Sequence, residues 1–247
     1  MTALLILPPI IFFGAFVDAI AGGGGLITLT AYVAVGLPGP IALGTNKFAS
    51  SFGTTVASLQ YIREKAVSPM VAGAAIPASF IGSAIGSALA ERYAVAYLAY
   101  LLVALVPAIA IFMMINPNFG SAKRRSQSAV LAISFLLSLV IGGYDGFFGP
   151  GTGMLLTLVF TSLVGLDLLA ASGTARLVNL SSNVAAMAVF LFHGSVDFTI
   201  AIPCAIASII GGYIGSRLAL KVGKRLVKPI MLFALALLLA KVVIDLL

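Results

Sequence analysis

Long apolar stretches follow one another along the chain, and short polar or glycine-rich stretches separate them. A helix of about 18 or more apolar residues is long enough to cross the roughly 30 Å hydrocarbon layer of a membrane. Every backbone polar group in lipid must be satisfied within the structure, and stretches of this length suit helices better than barrel strands. The pattern predicts an all-α, polytopic transmembrane helical bundle. Its apolar stretches are 32–62 (interrupted at 36–40), 71–90, 94–115, 129–148, 168–192, 198–220 and 226–244.

The composition strengthens this prediction and removes several other classes of protein. Hydrophobic residues make up 61% of the 247 positions and charged residues only 9%, whereas a soluble domain carries about a quarter charged residues. The chain therefore cannot cover a surface exposed to water. Its single cysteine, Cys204, excludes an internal disulfide, and the sequence has no cluster of metal ligands and no nucleophile motif. We therefore expect neither an enzyme nor a metal or cofactor site.

Three segments of the first half recur in the second half, in the same order and with similar spacing. The recurrence pairs Asp18 with Asp145 and Lys47 with Arg176. Chance is a poor explanation for that agreement, and membrane transporters are often internally duplicated. The paired segments are 15–30 with 142–157, 36–47 with 165–176, and 79–90 with 208–219. We predict a first transmembrane repeat, a basic linker and a second transmembrane repeat, which span residues 1–120, 121–127 and 128–247.

Each repeat begins with an apolar segment that is broken by glycines. In the first repeat the break is Gly22 to Gly25, and in the second it is Gly149 to Gly153, which includes Pro150. A straight helix over residues 4–35 would be about 50 Å long, which is much more than the membrane requires. Clustered glycine and proline disfavour a helix and favour a sharp turn. We therefore predict a helical hairpin that returns to its starting side, followed in each repeat by three spanning helices.

The basic residues test this hairpin interpretation, because Lys and Arg concentrate on the cytoplasmic side of a membrane. If each broken segment crossed the membrane once, the second and third basic clusters would lie on opposite faces. With hairpins, all three clusters share one face, and the two repeats are inverted relative to each other. We therefore expect cytoplasmic basic loops, with both termini on the outer, periplasmic side. The clusters are Arg63 with Lys65; Lys123 to Arg125; and Arg217, Lys221, Lys224, Arg225 and Lys228.

Four motifs in the chain resemble those of the TauE/SafE family of membrane transporters. They are DAIAGGGG at 18–25, GTNK at 44–47, YDGFFGPGTG at 144–153 and GTARLVNLSSN at 173–183, and the resemblance extends over essentially the whole chain. It implies a protein of the bacterial inner (cell) membrane that transports a small anion. In this family the anion often contains sulfur, as in sulfite, a sulfonate or another sulfo-organic acid, and the resemblance does not select one of these.

The glycine breaks are candidate anion-binding sites, because each is followed by the start of a helix, near Leu26 and Met154. Free backbone N–H groups and the positive end of the helix dipole suit an anion, and the missing side chains allow close approach. Tight packing of helices is the alternative explanation for such glycine clusters. Together with nearby polar residues, the predicted substrate-binding set is Gly22, Gly23, Gly24, Gly25, Asn46, Lys47, Gly149, Gly151, Gly153, Arg176, Asn179 and Asn183.

Two cations and two acids occupy matching positions in the repeats. Lys47 follows Gly-Thr-Asn and Arg176 follows Gly-Thr-Ala, each at the start of a long apolar stretch, and a cation inside the membrane needs a partner. The partner is either the substrate anion or an acid, Asp18 or Asp145; snorkelling of the cation towards lipid headgroups is a third explanation. For the two acids we prefer a counter-ion role to a proton-coupling role.

Together these observations predict a secondary transporter of a small anion that works by alternating access, with its site between the two repeats. An anion channel and a membrane subunit of a larger complex are the alternatives. The expected partners are the anion and the lipid bilayer, and nucleic acid is not expected. A coupling proton or ion and a second copy of the chain, as in a homodimer, stay open as further partners.

Overall fold

The computed structural model of the protein describes residues 2–92, 126–227, 229–231 and 233. Every regular element in this part of the chain is helical, which confirms the predicted all-α class. The predicted stretch 94–115, most of 226–244 and most of the linker 121–127 lie outside the described residues. The helices are α1 (Thr2–Ala21), α2 (Gly24–Ala34), α3 (Gly39–Arg63), α4 (Pro69–Arg92), α5 (Gln127–Phe147), α6 (Thr152–Val159) with a following π-helical turn (Phe160–Val164), α7 (Leu168–Phe192) and α8 (Phe198–Val222).

Five of these helices, α1, α4, α5, α7 and α8, are long and apolar enough to cross a membrane. Helix α3 is as long as α7 and α8, with 25 residues, but polar residues interrupt its apolar character. Several of those polar side chains are buried, among them Thr45, Asn46, Lys47 and Ser51. Buried polar groups at membrane depth require partners in neighbouring helices, so α3 is one of the helices on which a functional site is indicated.

The chain is broken at both glycine clusters, and at the first it reverses direction. Helix α1 ends at Ala21 and α2 begins at Gly24, and Gly14 on α1 lies directly against Thr28 on α2. Residues 14 and 28 of one straight helix would lie about 20 Å apart, so this contact requires α1 and α2 to run back along each other. The second break separates α5 from α6, which begins at Thr152. Helices α2 and α6 both begin two residues earlier than the sequence indicates.

Small residues bring α4 close to α5, and α1 close to α8. A Cβ atom added at Gly142 of α5 would lie 2.7 Å from Cα of Ser79 on α4, so the two backbones are in direct contact there. Between α1 and α8, Gly211 lies against the backbone of Phe12. Helices in membranes commonly associate through such small residues. In both pairs the contact joins a helix of the first half of the chain to a helix of the second half.

Helices α3 and α8 run parallel. Near the start of α3, Thr45 Oγ1 accepts a 3.1 Å hydrogen bond from the backbone N–H of Asp197, and near its end the Gln60 amide donates to Ser216 Oγ at 2.9 Å. Both helices therefore end on one side of the bundle, which we call the basic end. It carries Arg63, Lys65, Arg217 and Lys221. The predicted cluster at 123–125 lies outside the described residues.

Helices α3 and α7, which occupy matching positions in the two halves of the chain, run antiparallel. Gly44, near the start of α3, lies against Phe190, near the end of α7. Gly173, near the start of α7, lies against Tyr61, near the end of α3. These contacts place the loop before α3 and the loop after α7 at the same end of the bundle, opposite the basic end.

Candidate functional site

The turns of the two glycine-broken segments meet inside the bundle. The backbone N–H of Met154 donates a 3.3 Å hydrogen bond to the carbonyl oxygen of Gly22, and a Cβ atom at Gly25 would lie 3.4 Å from Cα of Pro150. The backbone φ is 84° at Gly22 and 103° at Gly149, a region in which residues with side chains are strained. Irregular backbone at membrane depth is tolerated where protein or a cavity surrounds it, which is the environment of both turns.

Lys47 of α3 is held by an acid and an amide from the second half of the chain. Its Nζ lies 2.7 Å from Oδ2 of Asp145, and both side chains are 2% exposed. The same Nζ donates a 3.0 Å hydrogen bond to Oδ1 of Asn183. Because both charges are removed from water, their stability depends on these contacts instead of on hydration.

Arg176 of α7 is the counterpart of Lys47 and pairs with Asp18 of the first half. Its Nη1 lies 3.2 Å from Oδ2 of Asp18 and donates to the backbone oxygen of the same residue at 2.7 Å. Its Nε and Nη2 have no hydrogen-bond partner among the described residues, although the side chain is completely buried. The guanidinium lies against Gly22 and Gly153, where any side chain would collide with it. The two glycines therefore create the space that Arg176 occupies.

Each ion pair joins a cation of one half of the chain to an acid of the other half. Each cation lies on the long helix that follows a glycine-broken segment, and it pairs with the acid that precedes the glycine break of the other half. In this arrangement the two acids are counter-ions of the two cations, and the four charges sum to zero. The two ion pairs therefore join the halves of the chain at the point where the turns meet.

A cavity of about 30 Å³ lies between the turns and helices α3 and α7. A water molecule needs roughly 10–15 Å³ of such volume, so the cavity accommodates about two waters and is too small for a sulfonate. Gly23, Gly151 and Arg176 are not among its lining residues; Arg176 lies behind two of the lining glycines. The predicted site residues that line it are Asp18, Gly22, Gly24, Gly25, Asn46, Lys47, Asp145, Gly149, Gly153, Asn179 and Asn183.

Helix α3 contributes further lining residues that the sequence reasoning missed. They are small or polar, and together with Asn46 they recur at spacings of three and four residues, which places them on one face of the helix. That periodicity was the signal available in the sequence. Asn46 lines the cavity, and its Oδ1 is buried with no hydrogen-bond partner in the described part of the chain. The missed residues on α3 are Ser50, Gly53, Thr54 and Ala57, and those on other elements are Gly14, Ala15, Ala19, Thr28, Thr152 and Ser208.

The cavity lies mainly on the side of the first hairpin. Gly14 and Thr28 line it, whereas Ile141 and Leu155 occupy the matching positions of the second half. Ile141 is buried in an apolar cluster and Leu155 packs against that cluster, so large apolar side chains occupy these positions in the second half. Asp18 is correspondingly 22% exposed, while the acid of the other ion pair is 2% exposed. The two halves of the chain therefore differ in the space around their acids.

The sequence model of the family described as "Sulfite exporter TauE/SafE" matches residues 7–242 of the chain. A "Probable membrane transporter protein" of Haemophilus influenzae is 36% identical over 234 residues, which cover 95% of this chain and 92% of that protein. The "Probable membrane transporter protein YfcA" of Escherichia coli is 33% identical over 240 residues, covering 96% and 89%. The "Probable membrane transporter protein ORF9" of a Sinorhizobium species is 35% identical over 225 residues, covering 89% and 84%. No solved structure gives a significant match to the chain.

Proposed function

Because the chain belongs to the TauE/SafE family, and the relatives described above are named as membrane transporters, we propose that it is a secondary transporter of a small anion. The anion contains sulfur, as in sulfite, a sulfonate or a sulfo-organic acid, in keeping with the description of the family. Its binding site is the cavity between the two turns, and alternating access exposes that site to the two faces of the membrane in turn.

The observation that carries this proposal is the position of Lys47. Its ammonium group lines the cavity, is almost completely buried, and is neutralised by the carboxylate of Asp145. A monovalent oxyanion has the same charge and the same kind of acceptor atom as that carboxylate, so it can take the carboxylate's place on Nζ without leaving the ammonium uncompensated. Asn46 and Asn179 supply amide groups around the same space.

Replacement of the Asp145 carboxylate by the substrate anion on Lys47 couples substrate binding to movement of the two halves. The Lys47–Asp145 pair joins α3 of the first half to α5 of the second half. An anion that replaces the carboxylate removes that link, so the occupied and empty states differ in the contact between the halves. A ligand shifts a conformational equilibrium only through such a difference. The cavity must also widen to accept the anion, and rocking of one half against the other provides the widening.

A proton accompanies the anion in this proposal. The four charged side chains are neutral in sum, so a bound monoanion would leave one uncompensated negative charge away from water. A proton on the freed Asp145, or on Asp18, removes that charge. Asp18 is the more accessible of the two, because it lines the cavity and is 22% exposed. Acids at membrane depth are suited to carrying protons in transporters.

We place the two repeats, 1–120 and 128–247, in inverted orientation in a bacterial inner membrane, with the basic end in the cytoplasm and both termini outside. The antiparallel course of α3 and α7 supports the inversion, and the Lys and Arg residues of the basic end support the orientation. Lys224→Cys in a Cys204→Ala background is expected to react with a membrane-impermeant maleimide in inside-out vesicles and not in spheroplasts. The reverse labelling pattern would contradict the orientation.

Counterflow in proteoliposomes tests the transport mechanism. Liposomes that contain the purified protein are loaded with an unlabelled sulfonate, and a trace of the labelled sulfonate is added outside. A carrier is expected to accumulate label transiently above its equilibrium level, because the excess unlabelled substrate inside occupies the inward-facing site and competes with the label for exit. In liposomes without internal substrate, a more acidic external solution is expected to accelerate net uptake, and a protonophore is expected to remove that acceleration.

Each other outcome removes a defined part of the proposal. Rapid equilibration of label without an overshoot would identify a channel. Absence of flux with sulfite, sulfonates and carboxylates alike would show that the substrate class is wrong. Net uptake that does not respond to a proton gradient would leave the carrier mechanism intact and eliminate the proton step. Protein-free liposomes provide the background.

A further inference from the structure

A second cavity lies at the basic end, away from the site between the turns. It is a groove of about 450 Å³ between the ends of α3 and α8. Arg63, Arg217 and Lys221 line it, and Glu64 is the acid beside them, so the groove carries an excess of two positive charges. All four side chains are exposed. None of the three cations forms a salt bridge within the described part of the chain, so their charges are available to a ligand.

Arg217 is oriented by its own helix. Its Nη1 donates a 3.1 Å hydrogen bond to Oη of Tyr213, and its guanidinium carbon lies 5.9 Å from the centre of the Tyr213 ring. These two contacts hold the planar guanidinium at the groove, and its other N–H groups donate to no acceptor among the described residues. A fixed guanidinium can bind two oxygens of one phosphate group at once, which a flexible ammonium cannot do.

The groove results from the way α3 and α8 pack. Near their middle the backbones almost touch, since a Cβ atom at Gly212 would lie 3.2 Å from Cα of Gly53. Towards the basic end larger side chains separate the helices. Gln60 bridges the remaining gap, because its amide donates to the backbone oxygen of Tyr213 and to Ser216 Oγ, both at 2.9 Å. The groove is therefore formed by the packing of two helices that come from different halves of the chain.

Apolar side chains continue the groove towards the middle of the membrane. Phe52 and Leu59 are exposed on α3, and Ile206 and Ile210 are exposed on α8. The spacing of Ile206 and Ile210 from Tyr213 and Arg217 is three or four residues at each step, so they form one stripe along the same helix face. A ligand that fits both features has an anionic head and an apolar tail.

We propose that this groove binds an anionic phospholipid of the leaflet at the basic end. Its phosphodiester group lies between Arg63, Arg217 and Lys221, and one acyl chain lies along the stripe above them. Basic pockets between membrane helices are suited to anionic headgroups, and a zwitterionic lipid lacks the net charge that the groove matches. The lipid then links α3, which carries Lys47, to α8 of the other half.

Lipid-dependent thermal stabilisation and native mass spectrometry of the purified, full-length protein test this site. Dioleoyl-phosphatidylglycerol is expected to bind and to raise the melting temperature at lower concentration than dioleoyl-phosphatidylcholine. The double variant R63Q/R217Q is expected to weaken phosphatidylglycerol binding about 30-fold, as two cations contribute about 1 kcal/mol each near a membrane surface. The matched control is K224Q/R225Q, which removes the same charge from exposed positions at the same end but outside the groove.

Three outcomes would overturn the proposal. Equal binding of phosphatidylglycerol and phosphatidylcholine would show that the groove does not select charge. Inorganic phosphate that stabilises the protein at the same concentration as the lipid, or displaces it, would assign the groove to a free anion. Equal losses in the two double variants would show general attraction to the basic end instead of a site. A selective loss in R63Q/R217Q, with unchanged melting of the lipid-free variant, supports the site.

Discussion

Replacement of Gly22 by alanine is expected to destabilise the protein by about 3 kcal/mol or more and to abolish anion transport. The backbone φ of Gly22 is 84°, and an alanine in that region is disfavoured by about 1–2 kcal/mol. In addition, its methyl group would collide with the backbone of Gly153 and Met154 and with the guanidinium of Arg176, and overpacking in a dense interior costs about 1–3 kcal/mol. The two turns would have to separate, which would open the Arg176–Asp18 pair.

The chain contains a matched control for this prediction. Gly36 has almost the same φ, 87°, but nothing lies within 4 Å of a Cβ atom added there. Gly36→Ala therefore carries the backbone penalty without the collision. Thermal unfolding in detergent and uptake into proteoliposomes are measured for both variants. If Gly22→Ala is no less stable than Gly36→Ala and still transports, the turns do not meet in the way described.

Replacement of either member of the Lys47–Asp145 pair is expected to cause the second large loss of stability. Loss of one member of a buried pair leaves the other charge uncompensated, which costs about 3–5 kcal/mol. Lys47→Met and Asp145→Asn are therefore both expected to lower stability strongly, and the double variant Lys47→Met/Asp145→Asn is expected to recover most of the loss. Melting curves of the four proteins form a double-mutant cycle that isolates the interaction.

The ranking of these variants by anion binding is expected to differ from their ranking by stability. Lys47→Met and the double variant lose the ammonium that holds the anion, so neither is expected to show anion-dependent stabilisation. Asp145→Asn keeps the ammonium and loses the competing carboxylate, so it is expected to bind the anion about tenfold more tightly or better, while counterflow slows. Lys224→Met is the control for lysine removal, since Lys224 is exposed. Unchanged anion binding in Lys47→Met would place the site elsewhere.

Much of the architecture follows from local sequence. Apolar length predicts the spanning helices α4, α5, α7 and α8, and clustered glycine predicts the breaks after α1 and α5, because these properties depend on residues close together in the chain. The duplication draws attention to Lys47, Arg176 and the two acids. Sequence alone does not assign the partners, since Asp18 is nearer to Lys47 in the chain and yet pairs with Arg176. That choice depends on how the two halves pack.

The shape of the cavity could not be predicted from the sequence. The sequence predicts a site between the two repeats but not that the cavity lies mainly beside the first one. Gly14 and Thr28 line the cavity there, whereas the matching positions hold the larger Ile141 and Leu155. The effect of such exchanges depends on which residues face each other across helices, and a repeat alignment does not contain that information. The position of Arg176 behind the glycines, outside the cavity lining, depends in the same way on the approach of the two turns.

The exchange of counter-ions between the halves has a consequence for biogenesis. Lys47 leaves the ribosome and enters the membrane well before Asp145 has been synthesised, and a lysine without a counter-ion favours the water interface over the membrane interior. Helix α3 therefore cannot settle at its final depth until α5 is inserted beside it. A chain released after its first half would present an unpaired charge to the quality-control proteases of the membrane. Insertion of α5 thus supplies the counter-ion of Lys47, and the later insertion of α7 brings Arg176 to Asp18.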